Sequence, residues 1–126
     1  MDVRDAVEAD AERLATLTDA PRDVMRNLVH DRTVRVAVED DDIVGFVSYD
    51  AREGTVHVTQ LEGDRETCRL LLEEPVGFAD REDMTVELLV PEDEAVSRDA
   101  AAAAGFDEVG AGPRFAGVPT VRFRLR

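Results

Sequence analysis

Apolar residues recur along this chain with two periods, and the switches between them lay out the order of elements. Met1–Ala6 predicts a short edge strand with Val3 turned inward. Ala9, Leu14 and Leu17 fall at helical spacing among Asp10, Glu12 and Arg13, so Glu8–Thr18 predicts an amphipathic helix. Pro21 then opens a second helix at the position that tolerates proline, with Val24, Met25, Leu28 and Val29 as its apolar stripe through His30. The period next shortens to two. Val34, Val36 and Val38 alternate with Arg35, Ala37 and Glu39, and an acidic turn at Asp40–Asp42 leads back through Ile43–Tyr49. A second turn at Arg52-Glu53-Gly54 leads into Val56, Val58 and Gln60, alternating with Thr55, His57 and Thr59. These three stretches predict an antiparallel meander.

The helical period returns over Asp64–Glu73, with Cys68, Leu71 and Leu72 inward, and Pro75 and Gly77 are expected to stop that helix early. Met84–Val90 predicts a strand with Val86, Leu88 and Val90 on one face. Pro91 and the acids Glu92, Asp93 and Glu94 suit a helix start, and the Ala100–Ala104 run carries the helix to a left-handed stop at Gly105. Phe106–Val109 and Val118–Leu125 close the chain as paired strands. The order is β-α-α-β-β-β-α-β-α-β-β, without internal repeat or linker, and 126 residues suit a single domain, 1–126.

Composition changes the picture in one respect. The apolar fraction of 44% is ordinary for a folded domain, but the net charge is −14, and all fifteen basic residues are arginine. Dispersed acids with no lysine fit a halophilic source, a haloarchaeon, whose salt-rich cytoplasm screens charge over about 3 Å at 1 M. The other reading is an acidic surface that attracts a basic partner or polyamine. Nucleic acid is excluded as a partner, since no basic face can be drawn. One cysteine, Cys68, forbids an intrachain disulfide and points to a reducing, cytoplasmic setting. Asp2, Arg4 and Asp5 break any leader-like run, and no apolar stretch is long enough for a membrane.

The chemistry concentrates between Gln60 and Leu72, QLEGDRETCRLLL, where a strand ends in a glycine and a charged helix begins. Such a corner gathers backbone N–H groups at the positive end of a helix and suits an anion. Here Glu62, Asp64 and Glu66 share it with Gly63, Arg65 and Arg69, a phosphate site in outline with opposing charges mixed in.

With that corner, three stretches carry a resemblance to the GNAT acyl-CoA N-acyltransferases. VRDAVEADAERLATL resembles their first strand and helix. VAVEDDDIVGFVSYD resembles their second and third strands, and VELLVPEDEAVSRDAAAAAGFDEVG their fifth strand and following helix. The resemblance spans nearly the whole chain and implies an α+β fold, a mixed, mostly antiparallel twisted sheet of six to seven strands flanked by about four helices. It also implies acyl transfer from acetyl-CoA to a small-molecule or peptide amine. In that family the fourth and fifth strands splay apart, the pantetheine arm pairs with the open edge, and the pyrophosphate rests on the loop that follows. The family often dimerises, and the last strands offer edges for a homodimer.

The family's loop reads Gln or Arg, two residues, Gly, one residue, then Gly or Ala. Gln60 and Gly63 match it and Arg65 replaces the last small residue, whereas counting back from Leu70-Leu71 puts Arg65 and Thr67 at the glycine positions. The resemblance therefore implies Gln60, Leu61, Gly63, Asp64, Arg65 and Arg69 as cofactor-binding, with the two arginines able to clasp phosphates. The tyrosine that protonates the departing thiolate falls on Ala101 and the family's helix asparagine on Glu94; the only tyrosine is Tyr49. His57 and Glu62 are the candidate general bases, each with a plain alternative as a solvated side chain. Arg114, in the last loop, is a candidate substrate contact or a surface arginine. His30 ends a helix and is expected at its terminal carbonyls. Cys68 reads as a buried thiol, and no metal-ligand cluster is present. A non-catalytic member of the fold, binding a metabolite or protein, is the alternative function.

Overall fold

A computed structural model describes residues Met1–Arg126. Its strands are β1 (Asp2–Asp5), β2 (Thr33–Glu39), β3 (Asp42–Arg52), β4 (Thr55–Glu62), β5 (Thr85–Pro91), β6 (Asp107–Ala111) and β7 (Thr120–Leu125). The helices are α1 (Ala11–Thr18), α2 (Arg22–Asp31), α3 (Arg65–Glu82) and α4 (Ala95–Ala103). The strands form one seven-stranded sheet in the order β1-β2-β3-β4-β5-β7-β6, antiparallel throughout except where β4 meets β5. The expected α+β architecture, element order and meander are all present.

Two cores follow from the alternation. Val47, Tyr49, Val56, Val58, Val86, Leu88 and Val90 point to one face and meet Cys68, Leu71, Leu72 and Ala79 of α3 with Ala100 and Ala101 of α4. On the other face Val34, Val36 and Phe46 meet Ala11, Leu14 and Met25, so α1 and α2 cover β2 and β3. The alanine run does what its small side chains allow: Ala100 and Ala101 are fully buried, letting α4 approach β5 and α3 closely. No helix is long and apolar enough to cross a membrane.

The structure corrects several boundaries. The first helix begins as a 3-10 turn over Glu8–Asp10, because the Asp10 carboxylate accepts the Val7 N–H at 2.8 Å and is itself gripped by Arg4 at 2.8 and 3.1 Å. The last strands start one to two residues later than expected, at Asp107 and Thr120. The largest correction is α3, which does not stop near Glu73 but runs through Pro75 and Gly77 to Glu82. An interior proline costs about 3 kcal/mol through its missing N–H and ring clash. Pro75 is buried in the apolar face, and the packing of Leu71, Leu72 and Ala79 across the sheet outweighs that local penalty. The helix ends at Asp83, in the left-handed region at φ 56°.

Candidate active-site cleft

A bulge makes the cleft. Ser48 pairs with Gln60 and Tyr49 with Val58, leaving Thr59 as an extra residue in β4. Such an insertion bends the strand that carries it. The Thr59 hydroxyl lies 2.7 Å from that of Ser48 and donates to the Ser48 carbonyl at 3.1 Å, which locks the bend. Parallel pairing with β5 runs from Thr55↔Thr85 to Val58↔Leu88 and ends there. Beyond it the strands part around a cleft of about 160 Å³, with Thr59–Glu62 on one wall, Leu88–Pro91 on the other, and Glu94 and Ser97 closing it. Each strand keeps its outer neighbour: β4 pairs with β3 as far as Glu62, and β5 with β7 as far as Pro91. The inner edges are left facing each other across the gap. The Gln60 Oε1 atom is buried without a donor.

The cleft opens onto a mouth of about 330 Å³ between Leu61-Glu62-Gly63 and Asp93–Ser97. Gly63 sits at φ 143°, and a Cβ there would lie 2.8 Å from Thr67 Cγ2, so the corner needs glycine. Asp64 caps α3: its Oδ1 accepts the Thr67 N–H at 2.8 Å. Bonds from the Thr67 N–H and hydroxyl, then the Glu66 N–H, hold this carboxyl below the usual range. Arg65 turns to α4 and pairs with Asp99 at 2.8 Å. Arg69 lines a separate hollow with Met1, Glu66, Leu70, Glu73 and Val76. The cofactor-binding candidates therefore divide. Gln60, Leu61 and Gly63 line the cleft and its mouth, Asp64 caps the corner, and the two arginines are not brought together over it.

The base candidates divide too. Glu62 lies on the cleft wall, half-buried, and its carboxyl is pushed above the usual range by burial and then by Glu94. His57 stands outside the cleft lining, in a cross-strand row with Asp50 and Glu87. Burial raises the Glu87 carboxyl, but hydrogen bonds from Arg122 at 2.6 Å and Arg124 at 3.0 Å outweigh it and the net shift is downward. Arg114 is tied within its own loop, donating to the Gly117 carbonyl at 3.1 Å beside the Phe115–Val118 bridge. His30 faces Glu8 at 3.9 Å, where terminal carbonyls were expected. Cys68 is buried beneath the corner, and burial, followed by Glu62, Asp64 and Glu94, pushes its thiol up to about 12. That is the environment of a buried, protonated thiol, as its apolar helical phase leads one to expect. No group of three or more His, Cys, Asp or Glu side chains is placed to hold a metal.

Sequence reasoning missed Ser97. It lies one helical turn before Ala101, is buried like Ala101, and is the only hydroxyl of α4 and part of both cleft and mouth. The signal was its helical phase, four residues ahead of Ala101 on the same side.

No protein-family profile matches the sequence, and no curated protein matches it. Solved structures do. The ribosomal-protein-alanine N-acetyltransferase of Brucella melitensis superposes with a TM-score of 0.82 at 16% identity, covering 99% of each chain. A GNAT-family structure from Desulfovibrio desulfuricans gives 0.77 at 21% identity over 98% of this chain and 97% of that one. The Salmonella typhimurium protein yncA, solved with its cofactor acetyl-CoA, gives 0.81 at 16% over 100% and 93%. The fold of this chain is the GNAT acetyltransferase fold.

Proposed function

We propose that this chain is an N-acyltransferase that takes its acyl group from a pantetheine thioester, acetyl-CoA among them, and passes it to an amine. One observation carries the reading: the bulge at Thr59 ends β4–β5 pairing at Val58↔Leu88 and leaves two strand edges facing a cleft. An extended chain of amides laid between those edges meets main-chain donors and acceptors at strand spacing. The buried Gln60 Oε1 offers one more acceptor to an N–H. The cleft thus fits the pantetheine arm.

Glu62 is the residue assigned to accept the proton of the amine. Its raised carboxyl moves its basicity toward the working pH, and its place on the cleft wall brings it to the arm. The acidic mouth formed with Asp93 and Glu94 favours a cationic acceptor over an anionic one. His57 is assigned no part in proton transfer, because it stands outside the cleft. The test is thiol release from acetyl-CoA and from S-acetylpantetheine with a panel of amines, in high salt. Glu62→Gln is expected to cost about 10²–10⁴-fold in turnover while leaving donor binding intact. Unchanged turnover would remove Glu62 as the base. A second reading, binding without transfer, is favoured by Ala101 standing where the fold's proton donor belongs. It predicts a donor-induced rise in melting temperature with no thiol release for any amine.

A further inference from the structure

We infer that the donor is recognised through its pantetheine arm alone, and that Asp64 keeps the diphosphate of coenzyme A off the α3 terminus. This rests on the N-acyltransferase reading and names the donor class for the same cleft.

Four observations combine. The Thr67 N–H, one of the free donors of the first helical turn, is already bonded to the Asp64 carboxylate at 2.8 Å, so the chain's own anion stands where a phosphate would go. The space beside Gly63 is filled from within: a Cβ there would meet Thr67 Cγ2 at 2.8 Å and Thr67 Cβ at 3.0 Å. This glycine therefore answers to protein packing, with no room on that side for close approach of a ligand. Arg65, the cation nearest the corner in sequence, is committed to Asp99 at 2.8 Å, and Arg69 lines a different hollow. The charged side chains lining the mouth are all acids, Glu62, Asp93 and Glu94. A diphosphate entering there finds the Thr67 N–H already taken and Arg65 paired, and meets carboxylates at the mouth. The arm meets no such opposition, since it is uncharged and its partners are the strand edges between Thr59–Glu62 and Leu88–Pro91. The ligand chemistry is an acyl thioester on a β-alanyl-cysteamine chain, whether free or carried on a phosphopantetheine.

The full chain is titrated calorimetrically with acetyl-CoA, S-acetylpantetheine and S-acetyl-4′-phosphopantetheine in about 1 M KCl, and ADP serves as competitor. The two nucleotide-free donors separate a free arm from a phosphorylated one. The expected result is three dissociation constants within about threefold of one another, with no displacement by ADP. In Asp64→Gly, which leaves a tolerated cap residue and frees the Thr67 N–H, acetyl-CoA is expected to tighten by about tenfold while S-acetylpantetheine is unchanged. Acetyl-CoA binding more than about thirtyfold tighter than S-acetylpantetheine in the unaltered chain, or displacement by ADP, overturns the inference and leaves the transferase reading standing. An Asp64→Gly chain with its donor preference unchanged overturns it as well. Binding of none of the three donors overturns both together.

Discussion

Adding one methyl group to Gly45 tests how the site corner is built. Gly45 lies in β3 next to the end of β4, and a Cβ placed on it would sit 2.4 Å from the Glu62 carbonyl oxygen and 2.7 Å from Thr67 Cγ2. The second neighbour is a side chain, but it is fully buried; the first is backbone, held in register by Phe46↔Glu62 pairing. Neither moves cheaply. Restoring a normal contact of about 3.4 Å requires β4 to shift by roughly 1 Å at the point where it enters the cleft, and overpacking of this kind costs about 1–3 kcal/mol. With backbone as the obstacle we take the upper part of that range, about 2–3 kcal/mol. Unfolding entropy near 2.1 cal/mol/K per residue gives about 0.26 kcal/mol/K over 126 residues, so Gly45→Ala should lower Tm by about 8–11 °C. Circular dichroism melts in high salt measure it. A Tm within about 2 °C of the unaltered chain would refute the packing described for this corner.

Other outcomes follow from the same geometry. Gly77 lies inside α3 without a positive φ, and a Cβ there would meet only the mobile end of Arg81 at 3.5 Å, so Gly77→Ala should stabilise by about 0.5–1 kcal/mol, raising Tm by about 2–4 °C. The Asp10 and Glu87 carboxyls are both held below their ordinary range in the fold, Asp10 chiefly by Arg4 and Glu87 by Arg122 and Arg124 against its own burial. Their stabilisation is complete above the unfolded carboxylate pKa of about 4 and drains away as pH falls through the lower folded values. Urea unfolding from pH 6 downward should show that acid loss, and Glu87→Gln should flatten it while costing about 1 kcal/mol at neutral pH, a modest figure because both arginines are partly solvated.

Much of the fold was legible because its two periods are clean. Val34 and Val36, and again Val86, Leu88 and Val90, sit where alternation put them, inside, while Val38 at the strand's end is only partly covered; Cys68, Leu71 and Leu72 are buried on α3. The extent of α3 was not legible, since whether Pro75 breaks a helix depends on the sheet beneath it rather than on neighbours in sequence. The site was half legible. The strand-to-helix junction holding Gln60, Leu61, Glu62 and Gly63 is visible in the sequence and lines the cleft and its mouth, but the bulge that opens the cleft depends on Ser48 facing Gln60, a register no local pattern reveals. The mixed charges of the corner were visible as well. Only the structure shows how they are spent: Asp64 on the helix N–H groups, Arg65 on a partner thirty-four residues away.

In the proposed function β4 and β5, parted by the Thr59 bulge, receive an extended amide arm along their inner edges. Amide chemical shifts in a nitrogen–proton correlation spectrum, followed through a titration with S-acetylpantetheine, test it most directly. Saturable shifts centred on Thr59–Glu62 and Leu88–Val90 are expected, with those amides slowed in hydrogen exchange. Shifts centred on another part of the molecule, or none at a donor concentration of about 5 mM, would refute binding between these strand edges.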